Sequence, residues 1–398
     1  MKYQKPNFFW YGIARMASWF VATFLFKRKF LRNEIKNVKG PYVVIANHQA
    51  MLDFVNLIGA TPRRMSFVIS KSFFSSLPIQ GIMRKMGLIP KQQFQTTADD
   101  LKKMKRVIDA GSPLVIYPAG LMCEDGLSTP IPAATYKFLK WLNADVYVAR
   151  TQGTYFVMPK WARGNRPGRT YMDIYKLFSR EQLERMDISS IREKTDEALL
   201  YDAYREQEQL RAKYRSNQNI EGLENVLYQC PECGEEFSTE VVDGSTIRCS
   251  KCGFARKCDE YGFLAQPEEP WRYVSDWSRW IYEELKKRVL AGEEDRLSAQ
   301  AQIKMVDPKK HKFCTVGEGV VELSKGQFRI DGRIGGEEVH LTVPAGNIPT
   351  LPFSPGKHLE IQHGGDIYRC VFQDGHLVMK FINLLKIFYE LTQEMAKA

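Results

Sequence analysis

The chain has 398 residues, 44% hydrophobic, 12% aromatic and 26% charged. That is a folded composition, too long for one ordinary core, so two or three domains are expected. The net charge of +11 is unevenly placed: residues 1–170 carry 26 Lys and Arg against 8 Asp and Glu, the remainder 31 against 38. A basic front half attracts nucleic acid or anionic lipid headgroups, and composition does not separate the two. Of eight cysteines, four form two CxxC pairs and Cys123, Cys258, Cys314 and Cys370 are scattered. This is a metal pattern with incidental thiols in a reducing compartment, which excludes a disulfide framework.

From Asn7 to Phe26 the chain is apolar and aromatic, with Arg15 as its one charge and basic residues on both flanks. Its length would just span a bilayer, but a central arginine costs about 2.5–3.5 kcal/mol on insertion. The balanced flanks also give no positive-inside bias. A helix lying in the membrane interface, with Trp10 and Trp19 at headgroup level, fits better; a buried first helix is the competing reading. No small-residue cleavage site follows, so no signal peptide is expected.

Short apolar runs at 41–46, 66–70, 114–117 and 145–149 read as strands. They alternate with helical stretches at 51–60, 72–86, 97–110 and 132–143. Alternation of this kind implies a mostly parallel sheet with flanking helices, and reactive groups gather at the carboxyl ends of such strands. His48 sits at one of those ends and is the only histidine before His311. Asp53, five residues on, falls in the first turn of the next helix, where it folds back onto the imidazole. Residues 178–216 are polar and patchily apolar, and read as a solvated helix pair bridging two domains.

Two motifs follow, Cys230-Pro-Glu-Cys233-Gly and Cys249-Ser-Lys-Cys252-Gly, with fifteen residues between Cys233 and Cys249. Each pair presents two sulfurs to one tetrahedral ion, so a structural zinc ribbon is expected, with rubredoxin-like iron or a redox dithiol as alternatives. The ribbon's neighbours are acidic, and the cations lie in the other half of the chain, so no nucleic acid is expected as a partner. Trp271, Trp277, Trp280 and Leu285 lie on an expected helix, and residues 293–297 read as a linker. Beyond it, strand runs at 312–316, 319–324, 327–331, 337–343, 358–362 and 367–373 precede a helix. That helix is striped by Leu377, Phe381, Leu384, Phe388, Leu391 and Met395. The pattern suggests a small antiparallel β-barrel capped by a helix, similar in architecture to a pleckstrin-homology domain. The five histidines of this region show no close ligand spacing.

Asn47-His48-Gln-Ala-Met-Leu-Asp53 is an NHxxxxD motif, and with the strand before it resembles the first block of the glycerolipid (lysophospholipid) acyltransferases. Lys71, Pro78, Gly81 and Gly87-Leu-Ile-Pro90 resemble the second block; Val115-Ile-Tyr-Pro118-Ala119-Gly120 stands at the third, and Val146–Gly153 at the fourth. The N-terminal segment is similar to the family's membrane-docking helices, and the added ribbon to a bacterial subgroup. The third-block glutamate is Ala119, the second-block arginine falls near Gln93, and the fourth-block proline is Ala149.

The resemblance implies an α/β acyltransferase domain at 34–177 behind a docking helix at 1–33. A helical linker at 178–225, a ribbon at 226–267, a helix and linker at 268–300 and a β-rich domain at 301–398 complete the plan. His48 and Asp53 are its implied catalytic residues. Asn47, Lys71, Arg84, Lys91, Gly120 and Arg150 are candidate substrate-binding residues; Cys230, Cys233, Cys249 and Cys252 hold the metal. The implied donor is acyl-CoA or acyl-carrier protein. The acceptor is a lysophospholipid-like hydroxyl at a membrane surface, on the cytoplasmic face. A glyco- or amino-lipid acceptor, or a non-catalytic lipid-binding role, remains the alternative, since the departures fall where the family is thought to hold the acceptor's phosphate.

Overall fold

The computed structural model describes residues 3–94 and 96–395; residues 1, 2, 95 and 396–398 of the expected elements lie outside it, as does the side chain of Asn347. Two compact units divide the chain. The first holds residues 1–160, 164–216 and 260–262; the second holds 161–163, 217–259 and 263–398.

The first unit is built on seven strands: β1 (Lys29–Asn33), β2 (Tyr42–Ala46), β3 (Ser66–Ser70), β4 (Leu88–Lys91), β5 (Leu114–Ile116), β6 (Asp145–Gln152) and β7 (Tyr171–Phe178). Their order is β1-β7-β6-β2-β5-β3-β4. From β6 to β4 every pairing is parallel, while β7 runs antiparallel to β6. The apolar runs are continuous because both faces are covered. On one face Val43, Ile45, Val146 and Val148 pack under helices Ala98–Asp109, Ala134–Leu142 and Ile188–Leu199. On the other, Tyr42, Val44, Ala46 and Tyr147 meet Tyr11 of the first helix and Leu57 and Ile58 of helix Asp53–Ile58.

The four strands read from the sequence are present; β1, β4 and β7 were not foreseen. β1 is too polar to announce itself (KFLRN), and β4 contains Pro90 on a sheet edge, where a missing N–H is tolerated. The helical stretch after β7 forms three helices, Arg180–Arg185, Ile188–Leu199 and Ala203–Leu210. They are not a solvated bridge: Leu183 and Ile191 are fully buried in the core beneath the sheet, and Tyr201 and Tyr204 are buried as well. One wide face with few apolar residues suffices because each contact lands on the apolar sheet.

The first helix, Phe8–Phe24, begins at Asn7, whose side chain accepts from the N–H groups of Phe9 and Trp10. Tyr11, Ala14, Ser18 and Ala22 are buried against the unit. Arg15 donates to the carbonyls of Thr61, Pro62 and Arg63. On the opposite face Phe9, Ile13, Met16, Phe20 and Phe24 are exposed, with Phe8 and Trp19 beside them. One stripe of the helix is therefore buried, as the competing reading expects, and a second apolar stripe is open. No helix among the described residues is long and apolar enough to cross a membrane.

The second unit opens with β8 (Thr239–Val242), β9 (Thr246–Cys249) and β10 (Ala255–Lys257), an antiparallel trio carrying the cysteine pairs. Helix Val274–Leu290 buries Trp277, Ile281, Leu285 and Val289, and the indole of Trp277 donates to Gln229 O at 2.8 Å. Trp271 lies before this helix and packs edge-on against Trp280.

Then come β11 (Arg296–Asp307), β12 (Lys312–Ser324), β13 (Gln327–Ile334), β14 (Glu337–Pro344), β15 (Phe353–Ser354), β16 (His358–His363) and β17 (Asp366–Phe372), followed by helix Leu377–Met395. They form one antiparallel sheet in the order β14-β13-β12-β11-β17-β16-β15. The expected barrel is open: among the described residues no ladder joins β14 to β15, and β15 is two residues long, too short to close one. β11 escaped the sequence reading because its alternation uses small and polar residues (RLSAQAQIKMVD). The last helix is buried around most of its girth from Val378 to Phe388, which a single stripe does not convey.

Candidate active site and cysteine cluster

In the parallel part of the first sheet, the carboxyl ends of β2, β3, β4, β5 and β6 point to one edge. That edge receives Asn47 and His48 after β2, Lys71 after β3, Lys91 at the end of β4, Tyr117 to Gly120 after β5, and Arg150 to Gly153 at the end of β6.

His48 and Asp53 meet. Imidazole Nδ1 lies 3.1 Å from Asp53 Oδ2, and the same oxygen accepts from the N–H groups of Gln49 at 2.7 Å and Ala50 at 2.8 Å. The tight turn between strand and helix thus closes on its own carboxylate. Asp53 is wholly buried, whereas His48 is about one-fifth exposed (21%) and opens onto a cleft of about 290 Å³. The ring of Tyr117 lies beside the imidazole, centroids 4.5 Å apart. Burial first, and then the charge of Asp53, push the Tyr117 phenol well above its usual pKa. Behind the histidine, its carbonyl accepts from Cys123 N at 3.3 Å and from the Tyr201 hydroxyl at 3.5 Å. Burial pushes both the Tyr201 phenol and the Cys123 thiol up, so neither serves as a ready nucleophile.

The side chain of Asn47 is engaged within the fold. Its amide is spent on Thr151: Nδ2 donates to the carbonyl at 2.8 Å, and Oδ1 accepts from the N–H at 2.8 Å and the hydroxyl at 3.0 Å. Asn47 also lines the cleft, and its amide clasps β2 to β6 beside His48. Gln49, which the sequence reading passed over, does the same one step on. Its Oε1 accepts from the Thr154 hydroxyl at 3.0 Å and Tyr155 N at 3.2 Å. Gly153, between those contacts, is at φ +82°, and a Cβ there would stand 2.4 Å from the Tyr214 hydroxyl.

The other candidates are scattered around the edge. Gly120, at φ +71°, makes a turn in which its N–H donates to Tyr117 O at 3.0 Å, so that group is not a free oxyanion donor. Its carbonyl accepts from Gln93 Nε2 at 2.6 Å; the glutamine at the place of the family's arginine ties the second block to the third. Arg150 is ion-paired with Glu206 at 2.6 Å, and its charge is already matched. Arg84 stacks over Phe74, 5.3 Å from the ring centre. Burial lowers the pKa of Lys91, whose ammonium donates to Gln92 O at 3.2 Å. Lys71 opens the short helix Lys71–Ser75. None of these four cations lines the cleft beside His48.

Residues 8–157 match the family model for acyltransferases. This part of the chain belongs to the acyltransferase family. Among solved structures, the chain is similar to the 1-acyl-sn-glycerophosphate (LPA) acyltransferase PlsC from Thermotoga maritima, at 15% identity and a TM-score of 0.41. That likeness covers 52% of this chain and 80% of the other. It is also similar to the Ran binding domain of the nuclear complex component Nup2 from Ashbya gossypii, at 14% identity and a TM-score of 0.19, over 26% of this chain and 99% of the other. His48, Asp53, Tyr117 and Asn47 all lie inside the acyltransferase segment; Tyr201 lies beyond it, in a stretch where nothing in the sequence marked it.

In the second unit the four cysteines of the paired motifs converge, all four sulfurs lying within 4.8 Å of one another. Cys230 Sγ is 3.6 Å from Cys252 Sγ, and Cys233 Sγ is 3.7 Å from Cys249 Sγ. A tetrahedron with metal–sulfur bonds of about 2.3 Å has edges of about 3.8 Å, so the donor set fits one thiophilic ion, whereas a disulfide needs about 2.05 Å. This is the only such group of donors among the described residues, and the C-terminal histidines take no part in it.

Proposed function

We propose that the protein transfers a fatty acyl group from an acyl thioester, on CoA or acyl-carrier protein, to the hydroxyl of a lysolipid at the cytoplasmic face of the membrane. The observation that carries the reading is the His48–Asp53 pair, buried on its carboxylate side and open to a cleft on its imidazole side, within a segment of the acyltransferase family.

Nδ1 is committed to Asp53, so Nε2 is the nitrogen left to take a proton. The acceptor oxygen attacks the thioester carbonyl carbon as its proton passes to Nε2. Asp53 stabilises the imidazolium that forms, with two backbone N–H groups holding the carboxylate in place. As the C–S bond breaks, the proton passes from Nε2 to the leaving sulfur. The donor arrives activated, so no protein nucleophile is required.

The open apolar stripe of helix Phe8–Phe24 supports membrane docking, because it adjoins a strongly basic half of the chain. In the second unit Cys230, Cys233, Cys249 and Cys252 would hold a zinc ion in a structural role; four protein ligands leave it no position for substrate.

The test is release of free thiol from acyl-CoA or acyl-carrier protein, measured with and without mixed lysolipids on vesicles. Acceptor-dependent thiol release that vanishes in His48→Ala supports the reading. Equal release in wild type and variant, or none from either thioester with any lysolipid, overturns it.

A further inference from the structure

The cleft beside His48 is lined by residues of the acyltransferase segment together with residues beyond it. Leu199, Leu200 and Tyr201 are among its lining, and Tyr136, Arg192 and Asp196 give the lining a polar part. The Tyr136 hydroxyl donates to Asp196 Oδ1 at 2.6 Å, and Arg192 Nε stands 3.4 Å from Asp196 Oδ2. Arg192 and the Asp196 carboxylate are both open to solvent, with side chains 65% and 41% exposed. Asp196 also holds the Tyr136 phenol above its usual pKa, after burial itself.

Among the described residues that line the cleft, there are thus, apart from His48, one cation and one anion. A phosphate monoester, at about −1.5 to −2 near neutral pH, would meet no surplus positive charge there. The cations that would compensate it are elsewhere: Arg150 is paired with Glu206 and Arg84 lies on Phe74. The third-block position that would face a phosphate is Ala119, which lines the same cleft with a methyl group. The polar part offers instead a carboxylate and a guanidinium side by side. That pair suits a headgroup with no net charge which both donates and accepts hydrogen bonds.

We infer that Arg192 and Asp196, with Tyr136 as the group that orients the carboxylate, select the acceptor, and that the acceptor is a lysolipid with a net-neutral, hydrogen-bond-donating headgroup rather than lysophosphatidate. The donating hydroxyl or ammonium faces Asp196; the accepting oxygens face Arg192. The hydroxyl to be acylated lies at the His48 end of the cleft. This inference rests on the acyl-transfer reading.

The experiment compares kcat/KM for three acceptors on vesicles with one acyl thioester: lysophosphatidate, lysophosphatidylethanolamine and a monoglycosyl monoacylglycerol. The wild-type protein should use at least one net-neutral acceptor about tenfold better than lysophosphatidate. Asp196→Asn leaves the cleft with a surplus positive charge and should raise relative use of lysophosphatidate. Arg192→Gln leaves a surplus negative charge and should lower it further. Each shift should be about fivefold, the effect of one unit charge at about 8 Å in a medium between protein and water. Shifts of opposite sign are not produced by a merely structural role, and Arg192→Gln is an exposed change that keeps the test readable if Asp196→Asn folds poorly. Preference for lysophosphatidate, or selectivity unmoved or moved the same way by both variants, overturns the inference while leaving acyl transfer standing. Failure to transfer to all three acceptors counts against both.

Discussion

His48 Nδ1 and Asp53 Oδ2 lie 3.1 Å apart across a five-residue turn whose N–H groups, at Gln49 and Ala50, point at the same oxygen. The carboxylate is therefore held from two sides before any substrate arrives. Asp53→Asn keeps an oxygen for the two N–H groups but removes the charge that stabilises an imidazolium. Turnover should fall about a hundredfold or more, with vesicle binding unchanged and the melting temperature nearly so. Vesicle-based turnover beside a thermal melt checks this; wild-type turnover in Asp53→Asn would remove the orienting role.

The amide of Asn47 makes three hydrogen bonds to Thr151, all buried. Asn47→Ala leaves the Thr151 groups unpaired, which costs about 1–3 kcal/mol for each stranded buried partner. A lower urea midpoint is expected, together with a drop in kcat at little-changed KM, since the Asn47 amide is spent on Thr151. A rise in KM with stability intact would return Asn47 to the substrate-binding set.

How much of this was legible beforehand varies with how local the cause is. The His48–Asp53 pair and the four cysteines were readable because chain spacing alone brings their atoms together: one tight turn, and two tight knuckles. The four central strands were readable because burial on both faces writes continuous apolar runs. The roles of Asn47, Gln49 and Tyr201 were not, since their partners lie 104, 105 and 153 residues away. No local pattern records such pairings. The pairing of Arg150 was hidden for the same reason: its partner Glu206 sits in a helix that reads as solvated. The edge strand β15 shows the converse, since its two residues could not reveal that a seven-stranded sheet would stay open.

Helix Phe8–Phe24 separates two kinds of apolar residue that look alike in the sequence. Tyr11 is 2% exposed and Met16 69% exposed. Replacing Phe9 and Phe20 together by serine should leave the melting temperature nearly unchanged and weaken binding to anionic vesicles at least tenfold, because each large apolar side chain contributes about 1.5–3 kcal/mol when buried in the interface. Co-flotation measures it. Unaltered flotation of the double variant would show that this stripe does not meet the membrane.

The cysteine cluster predicts one equivalent of zinc by metal analysis, lost in Cys249→Ser. A structural ion of this kind contributes directly to folding, so a strong chelator should lower the thermal midpoint of the second unit. A metal-free protein of unchanged midpoint would make the cluster a dithiol site. One equivalent of iron would make it rubredoxin-like.

Glu236, just past the first cysteine pair, is half-buried in the second unit with opposite charges around it. Lys380 lies 2.7 Å from it and Arg288 2.5 Å, while Glu294 holds the same Lys380 at 2.8 Å. Burial alone pushes the Glu236 carboxyl up, but Lys380 and Arg288 more than offset this and hold its pKa below the usual 4.5. A carboxylate whose pKa is lower in the folded than in the unfolded state stabilises the fold above the unfolded value. That stabilisation is lost as pH falls from about 4.5 through the folded value. Protonation also strips metal from thiolates in acid, so the two effects are separated by comparing variants at equal metal content. Glu236→Gln should be less stable than wild type at pH 7, and the difference should shrink below pH 4.5. In Lys380→Met two carboxylates lose their shared cation, and the cost should be about 3–5 kcal/mol, the scale for breaking a buried pair from one side. Thermal melts from pH 3 to 7 read both; a Glu236→Gln penalty that stays constant across this range would mean the carboxylate's charge contributes nothing.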